Sequence, residues 1–313
     1  MAMHDYVLSP SESLPQLGVA SGLRFANWIF FGLLLLLVLG SDAKINQAGC
    51  GVAEPMGRII GGESVRKRQQ LPWIVELKIH IPGGVFTCGG SIITKNVILT
   101  AAHCLYKLHG TNYIPDRVEV YYNATRHVKG PRVPAKWLMI HPKYTPVTMY
   151  DIALLKLPKR LQFDAFVKPI CLPVRKIPVA GKKLVAAGWG QTGKAVVRGR
   201  LLHVTLDALE DKVCKGITKR AVYGNVTPEF GPAICTSSYG KGTCVGDSGG
   251  PVSLLGVNGK SVQVGVVGAG TECKAGAMMT KIFPRVSEYM PWIKKALRRP
   301  KAWKPLRAGK NNE

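Results

Sequence analysis

The chain has 313 residues, enough to bury a substantial core in one large domain or two small ones. Hydrophobic residues make up 46% of it, and no internal repeat or low-complexity tract breaks it, which is the composition of an ordinary globular, β-rich protein. With 43 Lys and Arg against 18 Asp and Glu the formal net charge is +25, so long-range fields act on whatever the protein meets.

Taken in chain order, the first feature is an unbroken apolar run, WIFFGLLLLLVL at residues 28–39, preceded by Arg24 and followed by small residues up to Ala43. It has the form of a signal-peptide core with a cleavage site after Ala43, and it is short for a membrane span of about 20 residues. A retained type II signal anchor is the alternative, because the leading segment is long and carries Asp5 and Glu12 against Arg24 alone. Residues 1–43 hold one basic residue, Arg24, and three acidic ones, Asp5, Glu12 and Asp42, so their removal raises the charge from +25 to +27.

From Trp73 onward, short β-branched runs alternate with turns: WIVELKIHI at 73–81, SIITKNVILT at 91–100, RVEVYY at 117–122, KLVAAGWG at 183–190 and VQVGVVG at 262–268. Many short strands with regular turn signals predict an all-β barrel or sandwich rather than alternating βαβ units. One helix is predicted, at residues 292–299. Trp292, Ile293, Ala296 and Leu297 form one arc and Lys294, Lys295, Arg298 and Arg299 the other, with Pro300 as the stop. Residues 300–313 read as a loose basic tail.

The eight cysteines, an even number, suit an oxidising compartment. None forms a C-x-x-C pair and the seven histidines lack helical i, i+4 spacing, so zinc and haem readings have little support and no metal or cofactor is expected. The sequons at Asn123 and Asn225 agree with secretion and glycosylation.

Three strings carry chemistry: TAAHC at 100–104 supplies His103, DIALL at 151–155 supplies Asp151, and GDSGGP at 246–251 supplies Ser248. A serine hydroxyl is a poor nucleophile until an imidazole can take its proton, and the imidazole needs a buried carboxylate to fix its tautomer and steady its charged form. Glycines beside Ser248 let the N–H groups of Gly246 and Ser248 converge as an oxyanion hole, worth about 3–4 kcal/mol per donor. Alone, the histidine, the aspartate and the glycine-rich loop each have an ordinary structural reading. Their order, His then Asp then Ser, separates this arrangement from the subtilisin and α/β-hydrolase orders.

On these motifs, together with RIIGG at 58–62, PW at 72–73, HP at 141–142, GWG at 188–190 and the terminal amphipathic helix, residues 59 to about 299 resemble the chymotrypsin/trypsin family of serine endopeptidases. The resemblance implies two six-stranded antiparallel β-barrels with the active site between them. It implies an activation propeptide at 44–58, cut by a trypsin-like protease between Arg58 and Ile59. The new amino terminus then pairs with Asp247. It further implies bridges Cys50–Cys171, Cys88–Cys104, Cys214–Cys235 and Cys244–Cys273, with Leu184 and Leu254 at the places of a further bridge that many relatives have.

By the same resemblance the primary specificity pocket is formed by Gly242, Gly270 and Ala277, small and uncharged, so an apolar substrate residue is expected and a basic one is not. Lys241 and Lys274 flank it, either as solvated surface charges or, in the alternative reading, as groups that favour an acidic substrate residue. Residues 268–270 read Gly-Ala-Gly where the family usually has Ser-Trp-Gly, which removes a hydroxyl that helps orient the aspartate. The expected product is a secreted, monomeric endopeptidase acting on protein or peptide substrates, with a heparin-like polyanion as a further partner of its basic surface. The competing reading is a catalytically weak or silent homologue that acts as a secreted polyanion-binding effector.

Overall fold

The computed structural model describes residues 44–55, 63–106, 115–145, 148–192, 199–221, 227–257, 259–274 and 276–306. The leading apolar run, Arg58, Ile59, Asn225 and the chain beyond Leu306 lie outside the described residues.

Seven strands build the first half: β1 Ile74–Ile81, β2 Gly84–Thr94, β3 Val97–Thr100, β4 Arg117–Tyr121, β5 Arg132–Pro134, β6 Trp137–Ile140 and β7 Ala153–Lys156. With the short strand Lys304–Pro305 they form one antiparallel sheet in the order Lys304–Pro305, β6, β7, β3, β2, β1, β4, β5. In β1, Val75, Leu77 and Ile79 turn into the core and are fully buried, Ile74 and Glu76 are buried as well, and Lys78 and His80 are partly exposed. The β1–β2 hairpin closes through Pro82 and Gly83, where proline fixes the first corner and Gly83 supplies a φ of 84°.

The second half contains β8 Lys183–Gly188, β9 Leu202–Asp207, β10 Ala233–Tyr239, β11 Pro251–Val257, β12 Lys260–Val266 and β13 Met278–Pro284. One sheet runs Glu63–Ser64, β9, β8, β11, β12, and another runs β10, β13, Ala269–Gly270. Bridges between Gly265 and Arg285 and between Ala208 and Thr236 join the two sheets at both edges, closing β9, β8, β11, β12, β13 and β10 into a six-stranded barrel. Leu184, Leu206, Ile234, Val252, Val264 and Phe283 fill it. Leu184 and Leu254 lie in this same core, so apolar packing stands where relatives carry an extra bridge. The fold is thus the chymotrypsin-like pair of barrels that the strand pattern and motifs predict.

Three elements depart from the sequence reading. The terminal helix, α2 (Val286–Arg298), starts six residues earlier than predicted and runs through Pro291. Val286, Tyr289, Met290, Ile293 and Ala296 make a continuous buried stripe, and that packing outweighs the one backbone bond a proline removes. A second helix, α1 (Asp211–Arg220), escapes periodicity because only Cys214 in it is buried. It is held by the Cys214–Cys235 bridge and by Asp211, which pairs with Arg285 and with Lys176 at 3.1 Å. The tail is packed rather than loose as far as Leu306. Lys304 and Pro305 pair with Leu138 and Trp137, and Trp303, 7% exposed, donates from Nε1 to the Ala296 carbonyl at 3.2 Å. Among the described residues no helix is long and apolar enough to cross a membrane.

Replacing Trp303 with alanine should destabilise the fold by about 3 kcal/mol, the usual cost of emptying a buried indole site. Urea unfolding of the full chain checks this; an unmoved midpoint would mean the tail is not part of the cooperative unit.

Candidate active site

His103 follows β3 directly, on a turn whose Ala101 and Ala102 are fully buried and whose next residue, Cys104, is bridged to Cys88 on β2. Asp151 comes just before β7 and is 2% exposed. Its carboxylate holds His103 at two points: Oδ1 accepts the His103 backbone N–H at 2.8 Å, and Oδ2 lies 2.7 Å from Nδ1. With the carboxylate ionised, Nδ1 is the donor, so Nε2 of the neutral ring is the acceptor nitrogen. Withdrawal from water by itself lowers the imidazole pKa, but the charge and hydrogen bond of Asp151 outweigh it and raise the pKa above 6.5.

The surroundings keep Asp151 dry. Burial and its negative charge both push the hydroxyl pKa values of Tyr144 and Tyr289 well up, so both rings stay neutral beside it. His141 stacks on Tyr150 and meets Tyr289 and Trp292 edge-on, with centroids 5.1–5.4 Å away, while its N–H donates to the Ile152 carbonyl at 3.1 Å. Burial, helped by Lys143, lowers its pKa to about 4, and it serves as a neutral packing ring between α2 and the segment bearing Asp151. A side chain at Gly268 would place its Cβ 3.4 Å from Asp151 Oδ2, which is the space the missing hydroxyl leaves.

Ser248 stands on a loop pinned from both halves. Its carbonyl accepts the Gly89 N–H of β2 at 2.6 Å, Gly249 N–H donates to Val267 at 2.7 Å, and Gly250 N–H donates to Asp247 at 2.9 Å. Gly249 is obligatory here: its φ is 79°, and a Cβ would fall 2.2 Å from Thr100 Oγ1. Gly246 has a φ of 97°, and among the described residues neither its N–H nor that of Ser248 donates to a protein acceptor. Ser248, His103 and Asp151 line one open cleft of about 280 Å³. Among the described residues no hydrogen bond joins Ser248 Oγ to His103, a looseness common before substrate closes such a site.

Asp247 points away from this cleft. Its Oδ1 accepts the Gly190 N–H and its Oδ2 the Cys244 N–H, both at 2.8 Å. Loss of hydration raises its pKa from 3.8 to about 6, against the pull of those two donors and of Lys281. An adjoining cavity of about 170 Å³ runs past Asp247 and is lined by Gly190, Lys241, Gly242 and Lys274. The four bridges are Cys50–Cys171, Cys88–Cys104, Cys214–Cys235 and Cys244–Cys273. Asn123 sits partly exposed in the turn after β4, with a φ of 53°.

The expected specificity pocket needs correction. Gly270 lines the cleft with Ser248, but Gly242 faces the adjoining cavity and Ala277 lines neither. Ala277 instead closes a turn, its carbonyl accepting the Gly240 N–H at 2.8 Å. The wall is Lys281, on β13. The signal was present in the period of the strand: Met279, Lys281 and Phe283 share the buried face of β13, and a lysine there breaks an otherwise apolar row.

A family model described as Trypsin matches residues 59–293, most of the chain. The chain belongs to the trypsin family. It is 32% identical over 278 residues to serine proteinase stubble of Drosophila melanogaster, covering 81% of this chain and 35% of that protein. It is 29% identical to the clotting factor G beta subunit of Tachypleus tridentatus, covering 80% of this chain and 82% of that one. The structure resembles that of HL collagenase with a TM-score of 0.62 and 27% identity, over 76% of this chain and 98% of the collagenase. Like these relatives the chain carries the trypsin-family domain, and it spans only 35% of the length of stubble.

Because His103 must be neutral to accept a proton and Asp151 raises its pKa, kcat/KM should fall on the acid side with a midpoint above 6.5. Asp151→Asn should lower kcat by about 10,000-fold by releasing the tautomer. A pH–rate profile checks both; an acid limb centred well below 6.5 would contradict the geometry.

Proposed function

We propose that this protease is secreted as a zymogen, is switched on by a trypsin-like enzyme that cuts between Arg58 and Ile59, and hydrolyses peptide bonds through an acyl-enzyme on Ser248. The observation that carries the catalytic reading is the two-point hold of Asp151 on His103 in the cleft that Ser248 lines.

In the proposed cycle the Ser248 hydroxyl attacks the substrate carbonyl as its proton passes to His103 Nε2. The N–H groups of Gly246 and Ser248 take the negative oxygen, and Asp151 steadies the imidazolium. His103 then gives the proton to the leaving amine, and water releases the acyl group by the same steps in reverse. Among the described residues Asp151 is the one carboxylate lining this cleft and it is committed to His103, so none of them matches an arginine or lysine of the substrate. That supports non-tryptic specificity.

Activation draws on Asp247. Its carboxyl is largely shut from water, and among the described residues no cation lies within ion-pair distance of it. The ammonium of a freed Ile59 would supply one. Glycosylation at Asn123 and Asn225 fits the proposed secretion. Trp303 is buried and is not available to a polyanion.

A fluorophosphonate probe should label protein cut after Arg58, should label uncut protein poorly, and should leave Ser248→Ala unlabelled; a correctly folded cut chain that takes no label would overturn the reading. A second measurement addresses the switch. In uncut protein the raised pKa of Asp247 means the folded state keeps a proton that the unfolded state has lost, so this group's contribution to stability falls as pH rises from 3.8 to about 6. Pairing with Ile59 should bring that pKa below 3.8, so its contribution is then present above that pH. The stability gained on cutting should therefore grow between pH 4 and 6 (the window of the shift), as read by melting cut and uncut Ser248→Ala protein. A gain that is flat with pH would exclude Asp247 as the partner.

A further inference from the structure

The cleft beside Ser248 contains a charge that the proposed reaction does not use. Lys281 is 5% exposed, on the face of β13 that it shares with Met279 and Phe283, and it lines the same cleft as Ser248, His103 and Gly270. Its stem lies across two glycines: a Cβ on Gly270 would meet its Cδ at 2.4 Å, and one on Gly242 would meet its Cε at 3.0 Å. The smallness of both positions therefore makes room for the lysine. They do not leave an empty apolar slot.

The ammonium is short of partners. It donates to the Thr271 carbonyl and approaches Cys273 Sγ at 3.9 Å. An ammonium carries three donors, and a disulfide sulfur is a weak acceptor. Among the described residues no carboxylate comes within 4.0 Å of it, and Asp247 acts on it only from further away, opposing the burial that lowers its pKa. A buried cation without an anion at contact distance is costly, and no anion for it is present among the described residues.

The open side of that environment is the cleft itself, where the acyl portion of a substrate would lie. We propose that Lys281 is the specificity-determining residue of this protease, which cleaves after acidic residues, the substrate's Asp or Glu carboxylate pairing with the ammonium. The proposal rests on the serine-protease reading of Ser248. It replaces the apolar preference expected from Gly242, Gly270 and Ala277. A basic substrate residue is repelled by like charge, and a large aromatic one meets a lysine stem where its ring would go.

The test uses full-length protein cut after Arg58, its active sites counted by fluorophosphonate. Matched peptides differ only in the residue before the scissile bond: Asp, Glu, Ala, Leu, Phe or Arg. Asp or Glu should exceed Leu in kcat/KM by about 10-fold or more, with Arg poorest. Lys281→Met should invert the ratio of acidic to neutral substrates, and Lys281→Arg should retain its sign. Should Lys281→Met fail to fold, peptide aldehydes ending in Asp or Leu decide the matter on the unaltered enzyme, the Asp compound binding about 10-fold tighter. Preference for Ala, with Glu no better, would mean that the stem merely plugs the cleft and would overturn the assignment. So would preference for Leu, Phe or Arg. A cut chain that does not label loses the protease reading and this assignment together; one that labels but prefers neutral residues loses this assignment alone.

Discussion

The grip of Asp151 on both the backbone and the ring of His103 is the constraint to which the rest of the molecule answers. A single bond to Nδ1 would fix the tautomer but leave the ring free to swing. The second bond, from the His103 backbone N–H to the other carboxylate oxygen, fixes the turn that carries the ring. Such a grip needs an ionised carboxylate away from water, which is unstable unless its hydrogen-bonding capacity is used and its neighbours are prevented from relaxing. Tyr144, Tyr289 and His141 with its stacked partners provide that enclosure, and α2 presses it into place. This explains why a terminal helix with a proline inside it is still built: its buried stripe packs against the first half of the molecule and closes the wall behind Asp151.

The legible part of the site is the part whose chemistry admits no substitutes. His103, Asp151 and Ser248 were readable because no other residues do that work in that order. Gly249 was readable in kind because Thr100 and Gly89 crowd the place where a side chain would go. The strands were readable because short β-branched runs such as Ile74–Ile81 are broken by turn residues such as Pro82 and Gly83. What escaped is set by context. The helix Asp211–Arg220 depends on a disulfide and two ion pairs rather than an apolar stripe, so its sequence carries no period to detect. The packed tail depends on Trp303 finding a site on α2 and on Lys304–Pro305 meeting the β6 edge, neither of which is visible locally. Lys281 escaped because its place is set by the register of β13, which puts it opposite Thr236, and not by any local motif.

The missing serine before Ala269 bears on how strongly the aspartate is steered. With Gly268 in place, the one hydrogen-bond partner of Asp151 Oδ2 among the described residues is the His103 ring. The pKa of His103 is accordingly held up by Asp151 against considerable loss of hydration. A more basic imidazole is a better proton acceptor but is charged, and therefore idle, at higher pH.

Two enclosed charges of opposite sign, Asp247 and Lys281, lie close enough to influence each other and too far apart to pair. Each lowers the cost of burying the other, and among the described residues neither has an oppositely charged group within 4.0 Å. In the proposed cut enzyme the Ile59 ammonium takes Asp247, and the negative potential that Lys281 felt is then cancelled. The lysine is then left with the Thr271 carbonyl and, among the described residues, no carboxylate within 4.0 Å. Its demand for an anion is then greatest, and the open face of its environment is the substrate cleft. On this account activation and specificity are two ends of one electrostatic arrangement: cutting the propeptide settles the aspartate and, by doing so, leaves the lysine to be settled by an acidic substrate.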